Sequence, residues 1–190
     1  MAIKLWATKN DISCITQDAF VYVANTGLVL SGGTGAAIYR RGGMVVQDEC
    51  KRIGKQKHGN VVVTSSGKLP SKYILHAVGM GYTHENIPKL LYDLTTNCLL
   101  KAVELDIESL VFPAFTCGRM KNPPDIICEN MGKAINDFDF SKSRLSEIGF
   151  VLKSDELYKE FITNLDKYIN NKQIGLTNEV PEIPKLPWRL

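Results

Sequence analysis

A three-layer α/β/α sandwich around a mixed, largely parallel sheet is the fold class this sequence predicts, and two observations predict it. Six apolar runs of strand length recur along the chain, at residues 3–8, 19–25, 60–66, 72–78, 108–114 and 148–152. Several are apolar at successive positions rather than alternating, as expected of strands covered by helices on both faces. Helical segments separate most of them, and strands alternating with helices build a sheet with helix layers on either side.

Taken in order, "IKLWAT" (3–8) ends in the polar stretch "KNDIS", and "AFVYVAN" (19–25) runs into a glycine-rich junction. Two short helical segments follow at 34–41 and 44–56, interrupted by Gly42-Gly43. After "NVVVTSS" (60–66) and "KYILHAV" (72–78), residues 86–105 place Ile87, Leu90, Leu91, Leu94, Cys98, Leu99, Ala102 and Val103 at three- and four-residue steps. That spacing is the apolar stripe of an amphipathic helix. "ESLVFPA" (108–114) and "IGFVL" (148–152) flank a helical segment at 124–137, and another at 154–169 sets Leu157, Phe161, Leu165 and Tyr168 on one side.

From Asn170 the pattern changes. Pro181, Pro184 and Pro187 break any helical period, because proline lacks a backbone donor and fixes φ. The chain therefore divides into an α/β/α domain over residues 1–169 and a proline-containing arm over 170–190, with Trp188 expected to pin the arm to the body.

A length of 190 residues suits one domain with a single sizeable core, and the 44% hydrophobic share excludes general disorder. The net charge of +3 is small and no compact Lys/Arg run occurs, so neither nucleic acid nor a membrane surface is an expected partner. The five cysteines are odd in number, widely spaced and without a CxxC pair, which points to free thiols in a reducing compartment. His58, His76 and His84 match no common metal spacing, so no metal is expected. The first residues lack an apolar signal core and no run reaches membrane-spanning length, the pattern of an intracellular protein, cytoplasmic or nuclear.

Ligands of open α/β sheets sit at the carboxyl ends of the strands. Polar and glycine-rich signals gather at those ends here: "NDIS" (10–13), "VAN" leading to "SGGTG" (31–35), "ILHAVG" (74–79) and "VFPAFTCGRM" (111–120). A glycine loop opening a helix exposes backbone N–H groups where the helix dipole favours negative charge, so a phosphate is the first candidate ligand. In order, spacing and residue type these stretches resemble the macrodomain family, over roughly residues 3 to 165.

The resemblance implies binding of ADP-ribose, free or as a mono-ADP-ribose mark on a protein, with no cofactor. It implies that Asp11 accepts the adenine amino group and that Ile12 flanks the ring. Asp11 is equally placed to cap a short helix near Ser13. Asn25 matches the last Asn of the family's Asn-Ala-Ala-Asn stretch, which contacts the distal ribose; it also suits a turn before Gly27. Ser31, Gly32, Gly33, Thr34 and Gly35 match a first diphosphate loop. Thr116, Cys117, Gly118, Arg119 and Met120 match a second. Arg119 and Lys121 suit either phosphate contact or a solvated loop, and Cys117 reads as an inert small residue. Phe150 falls where the family often stacks an aromatic ring on adenine, or else in the core; His76 reads as a hydrogen-bonded core residue.

Departures from the family pattern bear on catalysis. Tyr22 stands where the first Asn is expected, Ser31 where a loop glycine is expected, and Met120 where an aromatic is common. In one hydrolase subgroup an Asp helps activate water at the position of Gly35, which has no side chain for acid–base work. Three functions follow: a binder of ADP-ribose; a hydrolase of ADP-ribosyl esters, with Asn25 holding the ribose and the loops orienting water; and a scaffold whose cleft is filled by Tyr22 or Met120.

Overall fold

The computed structural model describes residues 3–79, 81, 86–115, 123–169 and 174–177. Their order is β1 (Ile3–Lys9), a 3-10 turn (Ile12–Cys14), β2 (Ala19–Ala24), α1 (Gly32–Gly42), α2 (Met44–Ile53), β3 (Val61–Ser65) and β4 (Tyr73–Val78). Then come α3 (Ile87–Glu104), β5 (Ser109–Pro113), α4 (Pro124–Asp137), a second 3-10 turn (Phe140–Lys142), β6 (Glu147–Leu152), α5 (Asp155–Tyr168) and β7 (Ile174–Leu176). One sheet holds all these strands in the order β3-β4-β2-β5-β6-β1-β7. The β3–β4 pair is antiparallel and every other pair is parallel, so the sheet is mixed but largely parallel.

Each apolar run became a strand within a residue of its expected ends. The helical segment expected over 44–56 stops at Ile53. Gly54 takes φ +79° and its N–H bonds the carbonyl of Cys50 at 3.0 Å, a left-handed stop that the apolar pattern does not encode.

Side chains alternate between two cores, one on each face of the sheet. Leu5, Val21, Leu75, Phe112, Ile148 and Phe150 face α3, α4 and α5, where they meet Leu94, Ile127 and Phe161. Trp6, Phe20, Tyr22, Ile74, Val111 and Val151 face α1 and α2, where they meet Ile38, Val46 and Cys50. This is the α/β/α sandwich.

β7 was not among the expected strands. It pairs parallel to β1, Leu5 against Leu176, and so adds an edge strand to the sheet from within the segment read as an arm. Trp188 lies outside the described residues. Among the described residues no helix is long and apolar enough to cross a membrane.

Candidate functional site

The parallel strands end along one edge, and the segments leaving β1, β2 and β6 meet there. The junction after β2 is built from its own polar side chains. Asn25 Oδ1 accepts from the N–H groups of Gly27 and Val29, both at 3.1 Å, and Asn25 Nδ2 donates to the Val29 carbonyl at 2.8 Å. From α2, Gln47 Oε1 accepts from the Leu30 N–H at 2.8 Å while its Nε2 donates to the Leu28 carbonyl at 3.2 Å. Leu28 and Leu30 are buried plugs between these anchors. The segment is therefore fixed before any ligand arrives. An amide makes up to four hydrogen bonds, so after these three Asn25 keeps one N–H for a partner.

The junction delivers the chain to α1. Ser31 is its N-cap but makes no side-chain cap bond, and the first turn holds no acidic residue. Ser31, Gly32 and Gly33 are exposed, Thr34 is half-buried and Gly35 is buried. The helix thus presents the positive end of its dipole to solvent without an internal anion. In contrast, α5 is capped by Ser154 and carries Asp155 and Glu156 in its first turn.

Tyr22 explains the departure at residue 35. Its ring lies beneath the loop at 3% exposure and its hydroxyl donates to the Ser31 carbonyl at 3.1 Å. A Cβ on Gly35 would meet that hydroxyl at 2.4 Å and the Leu30 carbonyl carbon at 2.9 Å. The tyrosine and the glycine form one packing unit that leaves no room for a carboxylate at 35. Burial pushes the Tyr22 hydroxyl pKa up, so it stays a donor. Tyr22 supports the loop from below and does not lie across the cleft.

After β1, Asp11 caps the 3-10 turn, with Oδ1 accepting from Ser13 N–H at 3.0 Å and Ser13 Oγ at 2.8 Å. Its Oδ2 pairs with Arg41 Nη1 at 2.6 Å, from the last turn of α1. Burial alone would raise the carboxyl, but the bonds from Ser13 and Arg41 and the guanidinium charge outweigh it and hold it below the usual carboxylate range. The Asp11 side chain keeps 38% exposure, so lone pairs remain open to a donor. Ile12, expected to flank the ring, is instead buried beside Asp11 at 3% exposure in the α1–α2 core, so its side chain offers no face to a ligand.

The structure takes Phe150 away from the cleft. Its ring is fully buried on the α3–α5 side, 5.2 Å from Phe161 and 6.0 Å from Phe112 between centroids. It offers no face to a ligand. The residue that does reach the loop from this strand is Lys153, just past β6, whose Nζ donates to Thr34 Oγ1 at 2.9 Å. Sequence reasoning missed Lys153, although the strand-end rule that flagged the other loops applies equally to it. It also missed Arg41 and Gln47. Thr116, Cys117, Gly118, Arg119 and Met120 lie outside the described residues.

No described thiol is poised for nucleophilic work: Cys14, Cys50, Cys98 and Cys128 are buried and free, and burial pushes Cys50 up to about 11 and Cys128 to about 12. His76 is a core residue, fully buried with Nε2 2.8 Å from Thr64 Oγ1. Among the described residues no group of three His, Cys, Asp or Glu side chains can hold a metal.

A family model described as the Macro domain matches residues 21–131, more than half of the chain. The chain belongs to the macro domain family. An uncharacterized protein of Pyrobaculum aerophilum is 37% identical over 85% of this macro domain and 90% of its own length. An O-acetyl-ADP-ribose deacetylase of Salmonella typhimurium is 32% identical over 86% of this chain and 96% of its own. Among solved structures, the Oceanobacillus iheyensis macrodomain with ADP superposes with a TM-score of 0.78, covering 86% of this chain and 90% of that chain at 24% identity.

Proposed function

We propose that this macro domain binds ADP-ribose, as the free nucleotide or as a mono-ADP-ribose mark on a protein. The observation that carries the proposal is the uncapped, exposed first turn of α1, held rigid by Asn25, Gln47 and Tyr22 within a macro domain. Backbone N–H groups there suit a diphosphate. Asp11 is assigned the adenine amino group, and the remaining Asn25 N–H a ribose hydroxyl. Residues 116–120 are assigned the opposite side of the diphosphate from their sequence. Titration calorimetry with ADP-ribose, AMP and ATP tests the proposal. Selective heat with ADP-ribose supports it, and no heat and no thermal shift with ADP-ribose would overturn it.

A second reading, hydrolysis of ADP-ribosyl esters, is favoured by the 32% identity to a protein named O-acetyl-ADP-ribose deacetylase. Gly35 supplies no acid or base, so turnover would depend on water positioned between loop and phosphate, and positioning alone can supply a large rate factor. Incubation with O-acetyl-ADP-ribose, followed by product analysis, decides it. The control is Asn25→Asp, which keeps the acceptor bonds to Gly27 and Val29 but loses the donor.

A further inference from the structure

Lys153 is exposed and stands directly past the carboxyl end of β6. Besides the 2.9 Å bond to Thr34 Oγ1, its Nζ lies 3.7 Å from where a Cβ on Gly33 would sit. The ammonium therefore hangs over the first turn of α1, the positive end of a helix dipole, where a cation is disfavoured and an anion favoured. A carboxylate would relieve that position, but among the described residues none pairs with Lys153. Asp155, two residues on, is taken by Lys9 at 2.7 Å, and the first turn of α1 has no acid. The acceptor Lys153 does have, Thr34, is neutral and belongs to the loop itself.

We infer that Lys153 is a specificity-determining residue of the ligand site, whose ammonium contacts a phosphate oxygen held over the first turn of α1. This rests on the reading of that turn as a diphosphate site and deepens it. The backbone N–H groups supply direction and Lys153 supplies formal charge, so the site takes a diphosphate through a charge-assisted contact from the β6 side. Thr34 holds the ammonium in place until the anion arrives. A third arm of this kind also gives the edge at β6 a role that Phe150, enclosed in the core, does not fill.

The test is calorimetric titration of the full chain, wild type, Lys153→Met and Lys153→Arg, with ADP-ribose and with inorganic pyrophosphate at low and high salt. Loss of a charge-assisted hydrogen bond predicts that Lys153→Met weakens ADP-ribose binding by about tenfold or more. It also predicts a flatter salt dependence, since one solvent-exposed, salt-screened charge contact is gone. Lys153→Arg should restore most of both, and the ligand-free Tm of Lys153→Met should not fall. Equal affinity and equal salt dependence in Lys153→Met would overturn the inference while leaving ADP-ribose binding intact. A weakened affinity accompanied by a lower ligand-free Tm, not restored by arginine, would also overturn it. Wild type that binds pyrophosphate through Lys153 but ignores ADP-ribose would uphold the inference and sink the ADP-ribose assignment. Binding of neither probe would sink both.

Discussion

Gly33 and Gly35 stand two residues apart in the first turn of α1, and substitution should separate their roles. A Cβ on Gly33 meets nothing closer than Lys153 Nζ at 3.7 Å, so a side chain there is tolerated. Gly33→Glu would set a carboxylate in the first turn of α1 beside that ammonium, where the helix dipole welcomes it. The expected outcome is a ligand-free protein more stable by about 0.5 kcal/mol that no longer binds ADP-ribose, checked by denaturant melts and calorimetry on one sample. A fall in stability would show that Gly33 is structural. Gly35→Ala should behave oppositely. Helix propensity favours alanine by roughly 1 kcal/mol, but contacts at 2.4 Å to the Tyr22 hydroxyl and 2.9 Å to the Leu30 carbonyl carbon are too close to keep. Overpacking of this kind costs about 1–3 kcal/mol, so net destabilisation is expected. In a Tyr22→Phe background the same change should cost less, because the nearest atom is gone, but not nothing, because the Leu30 backbone stays. A double-mutant cycle reads that coupling, and strict additivity would refute the packing unit.

At the scale of elements, the junction between β2 and α1 depends on α2, which follows it in sequence. Gln47→Ala would strip the Leu30 N–H and the Leu28 carbonyl of their partners. A loss of roughly 1–2 kcal/mol is expected from these bonds, together with weaker ADP-ribose binding. If the loop were held by its Asn25 turn alone, urea melts and affinity would both match wild type. The example also shows where sequence reasoning stops. The strands were legible because short, β-branched runs such as "VVV" at 61–63 suit a strand better than a helix, and the glycine junction was legible because loop and helix start are local in sequence. Gln47, Arg41 and Lys153 act on residues 17 to 119 positions away, contacts that only the tertiary fold creates. Phe150 failed for a different reason. Neighbours on a strand point to opposite faces, and an all-apolar run such as "IGFVL" does not say which residue points where. The structure sends Phe150 to the α3–α5 core and Val151 to the α1–α2 core.

For the molecule as a whole, the two cores differ in one respect that pH should expose. The α1–α2 side encloses a histidine. His76 is fully buried against Thr64, Cys50 and the Tyr22 ring; burial drives its pKa down to about 4, with the Glu49 charge pulling weakly the other way. An unfolded histidine titrates near 6.5. Between these values the unfolded chain binds a proton that the folded chain refuses, so stability falls as pH drops from about 6.5 to about 4 and is fully present above that window. The effect is at most roughly 3 kcal/mol over the window. Asp11 and Asp18, both held below the usual carboxylate range, act in a separate window: their contribution is lost only once pH falls below their unfolded pKa of about 3.8. Urea unfolding at pH 7, 5.5 and 4.5 should therefore show a steady loss that His76→Gln abolishes, whatever that substitution does to stability at pH 7. A wild-type curve flat across those pH values would mean that His76 is not held neutral in the core. Affinity for ADP-ribose should not follow the same curve, because His76 sits within the α1–α2 core while the proposed ligand contacts lie at the carboxyl edge, where Asp11 remains ionised above pH 4. A site that weakened in step with the fold between pH 6.5 and 4.5 would tie the ligand to that core instead of to the strand ends.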